Sequence, residues 1–283
     1  MDYQVLKPGD SNYPDKLTQR MGAEAPVLYY HGPLKLLKRF SMAVICADLA
    51  SARAMLASNE MLFKIREYAL NYIGPWHAVM ETEIFRLAMD TPTDPLRLRS
   101  VTMLTIRGLL QETWDNFLGD RFGYKGPFTG FPQKEEYYRR AKAGELLVLS
   151  ITEPNRKRIE RPNILLRNWV ACALADVVFT PSSEKGTKSF NAIKRTVKAG
   201  IPIFTCQYDP DKEQDVNKQL FDMGITAYNR KTVGPYLESL GAKTTGEPPF
   251  PPPVEEPDPE PITQDTGPVS LPTGKRFKQM SLL

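Results

Sequence analysis

Four short apolar runs, at residues 101–106, 146–151, 176–180 and 201–205, constrain the fold more tightly than anything else in this chain. Each spans five or six residues, the length of a strand buried on both faces and too short for a buried helix. Helical stretches separate most of them. Residues 162–175 begin on Pro162, whose fixed φ suits a first helical turn. Phe190, Ile193 and Val197 then mark an apolar face before Gly200 stops the next helix. Upstream, Met61, Leu62, Ile65, Ala69 and Tyr72 recur at helical spacing. Strand alternating with helix predicts an α/β fold, a Rossmann-like parallel sheet with helices on both faces. Residues 1–40, with Tyr13-Pro14, a strand expected at 27–30 and a turn at Gly32-Pro33, form a small N-terminal extension packed on the core domain of residues 41–246.

At 283 residues and 41% hydrophobic, the chain can bury a full core, which excludes wholesale disorder. No run reaches the roughly 18 apolar residues of a membrane span, and the start lacks a secretory pattern, so a cytoplasmic protein is expected, with no membrane partner. Cys46, Cys172 and Cys206 lie far apart in apolar contexts, and the only histidines are His31 and His77. A zinc site needs about four placed ligands, so no metal or other cofactor is expected and the cysteines read as buried thiols. His77, beside Trp76, reads as a strand-edge packing residue, with stacking on a base as the alternative.

Composition breaks near Gly246. Residues 247–272 hold ten prolines and six acidic residues without hydrophobic periodicity, so 247–274 reads as a disordered, semi-stiff tether.

In open parallel sheets ligands bind beyond the carboxyl ends of the strands. The turn after 176–180 stands out: Pro181-Ser182-Ser183-Glu184-Lys185-Gly186-Thr187-Lys188-Ser189, leading into a helix. Small residues admit an anion to backbone N–H groups, hydroxyls and lysines add donors, and the helix start adds partial positive charge. The competing reading is a well-capped turn whose lysines serve solubility. Between residues 139 and 198 stand thirteen basic residues against five acidic ones, while the whole chain nets only +4. Such a half suits phosphate contacts that are salt-sensitive and independent of sequence, or else a solvated face.

Tyr13-Pro14-Asp15-Lys16-Leu17, followed by Ala25-Pro26-Val27-Leu28-Tyr29-Tyr30-His31-Gly32, resembles the start of the DNA-processing protein A (DprA/Smf) family. The stretch 161–176, with Arg161 at its head and Arg167-Asn168 within it, is similar to that family's arginine-asparagine helix. Lys185-Gly186-Thr187 falls where the family has a Ser-Gly-Ser/Thr turn, and Gly200-Ile201-Pro202-Ile203-Phe204 and 217–224 follow its later order. The resemblance covers roughly residues 13–228. It implies a non-catalytic protein that binds single-stranded DNA and hands it to a RecA-type recombinase, usually as a homodimer. Together with the anion-binding turn read above, the candidate contacts are Arg161, Arg167, Asn168, Ser182, Ser183, Lys185, Gly186, Thr187 and Lys188. Two family turns are replaced here, by Cys46-Ala47-Asp48 and by Met80-Glu81-Thr82-Glu83-Ile84. That leaves two options: contacts carried by the later basic half alone, or a changed ligand. A nucleotide or nucleotide-derived-signal sensor is therefore the alternative. The related lysine-decarboxylase-like group has a Pro-Gly-Gly-x-Gly-Thr turn with a glutamate after it. This chain follows its longer turn with Lys188-Ser189-Phe190, so nucleotide hydrolysis is not expected.

Residues 275–283 end in Gln279-Met280-Ser281-Leu282-Leu283, which resembles the peptide by which bacterial polymerases and repair factors hold the sliding clamp. Gln279 suits a pocket rim, and Met280, Leu282 and Leu283 suit an apolar groove. At about 3.1 Å per residue the tether reaches on the order of 90 Å. The clamp is therefore an expected partner.

Overall fold

A computed structural model describes residues 1–48, 50–89, 99–112, 139–157, 160–207 and 217–245. Residues 1–249 form one unit; 250–283 form another, and the tether and clamp peptide lie outside the described residues.

Among the described residues nine strands make one sheet in the order β1-β2-β6-β5-β4-β3-β7-β8-β9. They are β1 Gln4–Leu6, β2 Leu28–His31, β3 Ser41–Val44, β4 Asn71–Gly74, β5 Ser100–Thr105, β6 Leu146–Ser150, β7 Val177–Phe179, β8 Ile203–Cys206 and β9 Thr226–Tyr228. From β6 to β9 every neighbour is parallel, whereas β1 and β2 pair antiparallel at the β6 edge. All four apolar runs became strands, and so did the 27–30 segment. The α/β expectation with a Rossmann-like sheet therefore holds, with a mixed edge added. Residues 1–40 supply that edge: they extend the sheet by two strands and lay one helix on its face.

Strand pleating puts successive side chains on opposite faces, so each buried strand feeds two cores. Met42, Val44, Tyr72, Val101, Met103, Val148, Val177 and Phe179 point to one face. There α2 (Ala52–Ile65), α3 (Val79–Met89) and α7 (Val233–Ser239) cover them. Ala43, Ile45, Ile73, Leu104, Leu147, Leu149 and Val178 point to the other. That face is covered by α1 (Asp15–Met21), α4 (Arg161–Leu174), α5 (Lys188–Lys198) and α6 (Lys218–Asp222). Burying a Leu or Phe on either face contributes about 1.5–3 kcal/mol.

The helical reading of 61–72 ran one element too far. α2 ends at Ile65, and Tyr72 sits in β4, between parallel neighbours β3 and β5. Tyr72 follows Ile65 by seven residues, so two helical turns and a turn-plus-strand place it alike in the pattern.

Chain order reverses between β3 and β7: β4 and β5 lie on one side of β3, while β7, β8 and β9 continue on the other. At such a switch point adjacent loops leave the sheet toward opposite faces and open a crevice.

The cleft at the switch point

The crevice is occupied by a cleft of about 440 Å³. Loops after β3, β4 and β5 bring Cys46, Asp48, Pro75, His77, Ala78 and Ile106 to it, and α3, α4, the loop after β7 and the start of α5 bring the rest.

From α4 come Arg161, Ile164, Arg167 and Asn168. Arg161 is exposed at the first turn, whereas Arg167 and Asn168 are both 6% exposed. The Arg167 guanidinium donates from Nε and Nη2 to Asn168 Oδ1 at 3.2 and 2.9 Å, which fixes the plane of its fork beside the cleft. From the turn before α5 come Gly186, Thr187, Lys188 and Ser189. Gly186 has φ +88°, a left-handed conformation that a side chain would strain. Thr187 is the N-cap of α5: its Oγ1 accepts from Phe190 N at 3.2 Å and donates to the Glu184 carbonyl at 2.6 Å.

Of the nine sequence-predicted contacts, the cleft gathers Arg161, Arg167, Asn168, Gly186, Thr187 and Lys188. Ser182 and Ser183 are buried outside the lining; the Ser182 carbonyl accepts from Ala47 N at 2.9 Å and that of Ser183 from Gln219 Nε2 at 2.7 Å. Lys185 is exposed and does not line the cleft. Several other basic residues of the 139–198 stretch have acidic partners: Arg140 bonds Glu145 at 2.6 Å inside the fold, Arg156 bonds Glu160 at 2.5 Å, and Arg195 pairs with Glu24. Three cations of that stretch, Arg161, Arg167 and Lys188, line the cleft.

The opposite wall holds a residue that the sequence did not single out. Glu81, 3% exposed, lies in the first turn of α3. Its Oε1 accepts from Cys46 N at 3.0 Å, and its Oε2 from His77 N at 2.9 Å and Ala78 N at 3.2 Å. The two last bonds are the acidic half of a capping box; the first ties the β3 loop to the β4 loop. Burial pushes this carboxyl above its ordinary range, opposed by the three N–H donors and the positive Arg167 nearby. A carboxylate after a strand and ahead of an apolar helix is the signal that would have found it, had β4 been recognised as a strand.

Trp76, just before this capped start, holds φ +51°, a left-handed backbone that costs an ordinary residue about 1–3 kcal/mol. Its indole is wholly buried, stacks at a tilt on Phe85 with centroids 5.6 Å apart, and donates to the Thr102 carbonyl at 3.3 Å. A Cβ at Gly74 would lie 3.1 Å from that ring, so a glycine ends β4 where the indole folds back. The ring is thus a packing element and offers no face to a ligand. His77 departs from the packing role expected of it: β4 stops at Gly74, and His77 stands exposed on the cleft rim.

The three cysteines are buried and unpaired, as expected; Cys46 reaches the lining, and burial raises its thiol pKa. Among the described residues no group of three or more metal-ligating side chains comes together, and no helix is long and apolar enough to cross a membrane.

No family model and no curated protein matches the sequence. Solved structures do. DNA processing protein A from Streptococcus pneumoniae superposes at a TM-score of 0.62 with 17% identity, over 84% of this chain and 74% of that one. The Helicobacter pylori protein of the same name, described for its single-stranded DNA binding mode, superposes at 0.58 with 18% identity, over 84% and 97%. The chain has the fold of DNA processing protein A, as the resemblance implied.

Proposed function

We propose that this chain is a divergent DNA-processing-protein-A relative that binds single-stranded DNA, without catalysis, in the cleft at the β3/β7 switch point. One observation carries the reading: Arg161, Arg167 and Lys188 meet around a concavity at the carboxyl ends of the strands, in the fold shared with a protein described as a single-stranded DNA binder. Exposed Arg161 and Lys188 suit phosphates, which position a strand without reading its sequence. The exposed cations stand on the α4/α5 side, so the backbone of the strand follows that side and sugars or bases face the floor. A non-catalytic site is supported by the state of Glu81, whose two oxygens both already accept backbone N–H groups.

A labelled single strand titrated at two salt concentrations tests this. Binding should weaken steeply with salt, and Arg161→Ala with Lys188→Ala should flatten the slope of log K against log salt by about 0.7 per lost phosphate contact. Absence of binding at low salt refutes the reading. The cleft volume also falls within the usual small-ligand range of about 300–1,000 Å³, which favours the nucleotide-sensor alternative. A thermal shift with a mononucleotide and none with oligonucleotides would select it.

The same proposal includes delivery of the strand to a RecA-type recombinase, action as a homodimer, and attachment to a sliding clamp through Gln279, Met280, Ser281, Leu282 and Leu283. For the attachment, removal of residues 279–283 should abolish co-elution with a bacterial-type clamp; a complex that persists rejects the hook.

A further inference from the structure

We propose that the groove between α4 and α5 is a second nucleic-acid contact that leads the strand away from the cleft, so that the ligand is a chain of nucleotides and not a single one. The inference rests on the cleft reading and adds to it an exit path. The groove encloses about 410 Å³ and is lined by Leu165, Asn191, Ala192, Lys194, Arg195 and Lys198.

The groove and the cleft share both their walls. α4 gives Arg161, Ile164 and Arg167 to the cleft and Leu165 to the groove; α5 gives Lys188 and Ser189 to the cleft and its later residues to the groove. The two helices pack along each other. On α5, Lys188, Asn191, Lys194, Arg195 and Lys198 recur at three- and four-residue steps and so form one stripe. From the first lysine to the last it rises about 15 Å, enough to follow more than one phosphate.

The cations of the stripe differ in what already holds them. Arg195 lies over the Trp169 ring, 4.9 Å from its centroid, and pairs with Glu24. Lys194 lies 5.6 Å from the Phe190 centroid, and neither Lys194 nor Lys198 has an acidic partner among the described residues. Both lysines are exposed. Asn191 is engaged by its own helix, donating to the Thr187 carbonyl at 3.2 Å. With the two rings beneath cations, the groove presents charge rather than a stacking face. It suits a phosphate backbone in a manner indifferent to base identity.

The full-length protein, wild type and Lys194→Ala with Lys198→Ala, is titrated with unstructured deoxyoligonucleotides of three and twelve residues. Wild type should prefer the longer strand. The double variant should lose about tenfold on the longer strand, hold the trimer unchanged, and lower the salt slope on the longer strand by about 1.4. Both lysines are exposed, so its melting temperature should match wild type. If the variant binds the longer strand as wild type does, while Arg161→Ala with Lys188→Ala weakens both lengths, the groove is not a contact and the cleft reading stands. If wild type binds neither length, the cleft reading fails and takes the groove with it.

Discussion

The two walls of the cleft treat charge in opposite ways. On the α3 wall Glu81 is buried and saturated, each oxygen accepting backbone N–H groups from the β3 and β4 loops. On the α4/α5 wall Arg161 and Lys188 stand in water, and Lys194 and Lys198 continue their line. A charge whose hydrogen-bonding capacity is spent inside the protein fixes the shape of the site. One left solvated is available to a ligand, and losing it leaves the fold intact. The donors at the ends of β3 and β4 are taken by a resident carboxylate. The difference assigns scaffolding to one wall and recognition to the other.

The largest effect expected from this contrast is on stability. Glu81→Ala leaves three N–H donors without their acceptor and should lower the unfolding free energy by about 3 kcal/mol. Lys188→Ala or Arg161→Ala should stay within about 0.5 kcal/mol of wild type. Denaturant unfolding of the three variants separates the walls. A Glu81→Ala protein as stable as wild type would show that the carboxylate is not holding the loops together.

A smaller effect sharpens the same division through pH. Because burial raises the Glu81 pKa in the folded state, the native protein holds this proton more tightly than the unfolded chain does. Protons bound then favour the native state, so the contribution of this group to stability is full below the ordinary carboxylate pKa. It is lost as pH climbs from there through the raised value. Glu81→Gln should remove that part of the decline in unfolding free energy, whatever its constant offset. A decline equal to that of wild type would place the shift elsewhere.

Strands β5, β6, β7 and β8 were legible because they are continuous apolar runs, a pattern imposed by burial on both faces; β3, at the centre, was not among the four runs. The α4/α5 wall was legible for a related reason: Pro162 and Gly200 punctuate its helices, and its charges are local in sequence. β4 was hidden, since four residues ending in Gly74 carry no periodicity of their own and Tyr72 continues the beat of α2. With β4 hidden, the start of α3 had no anchor, and Glu81 read only as part of a replaced turn. Its partners Cys46, His77 and Ala78 belong to two loops that only the parallel pairing of β3 with β4 brings together. The cation count misled for the converse reason: Arg140 and Arg195 neighbour basic residues in sequence, but carboxylates in space.

Thr187 gives the smallest effect and the finest test, because it lines the recognition wall yet is bonded like the scaffolding one. The sequence offered its hydroxyl as a phosphate donor. A hydroxyl has one proton, and here it goes to the Glu184 carbonyl at 2.6 Å while the oxygen accepts from Phe190 N. Nothing is left to donate to a ligand without giving up the Glu184 bond. Thr187→Ala should therefore cost about 1 kcal/mol of stability, Thr187→Ser should recover most of it, and neither should change single-strand affinity by more than about twofold. A tenfold loss of affinity in Thr187→Ala, restored by serine, would mean that the hydroxyl abandons Glu184 for the ligand. The α5 start would then serve shape and recognition at once, and the division between the walls would hold only in the unliganded protein.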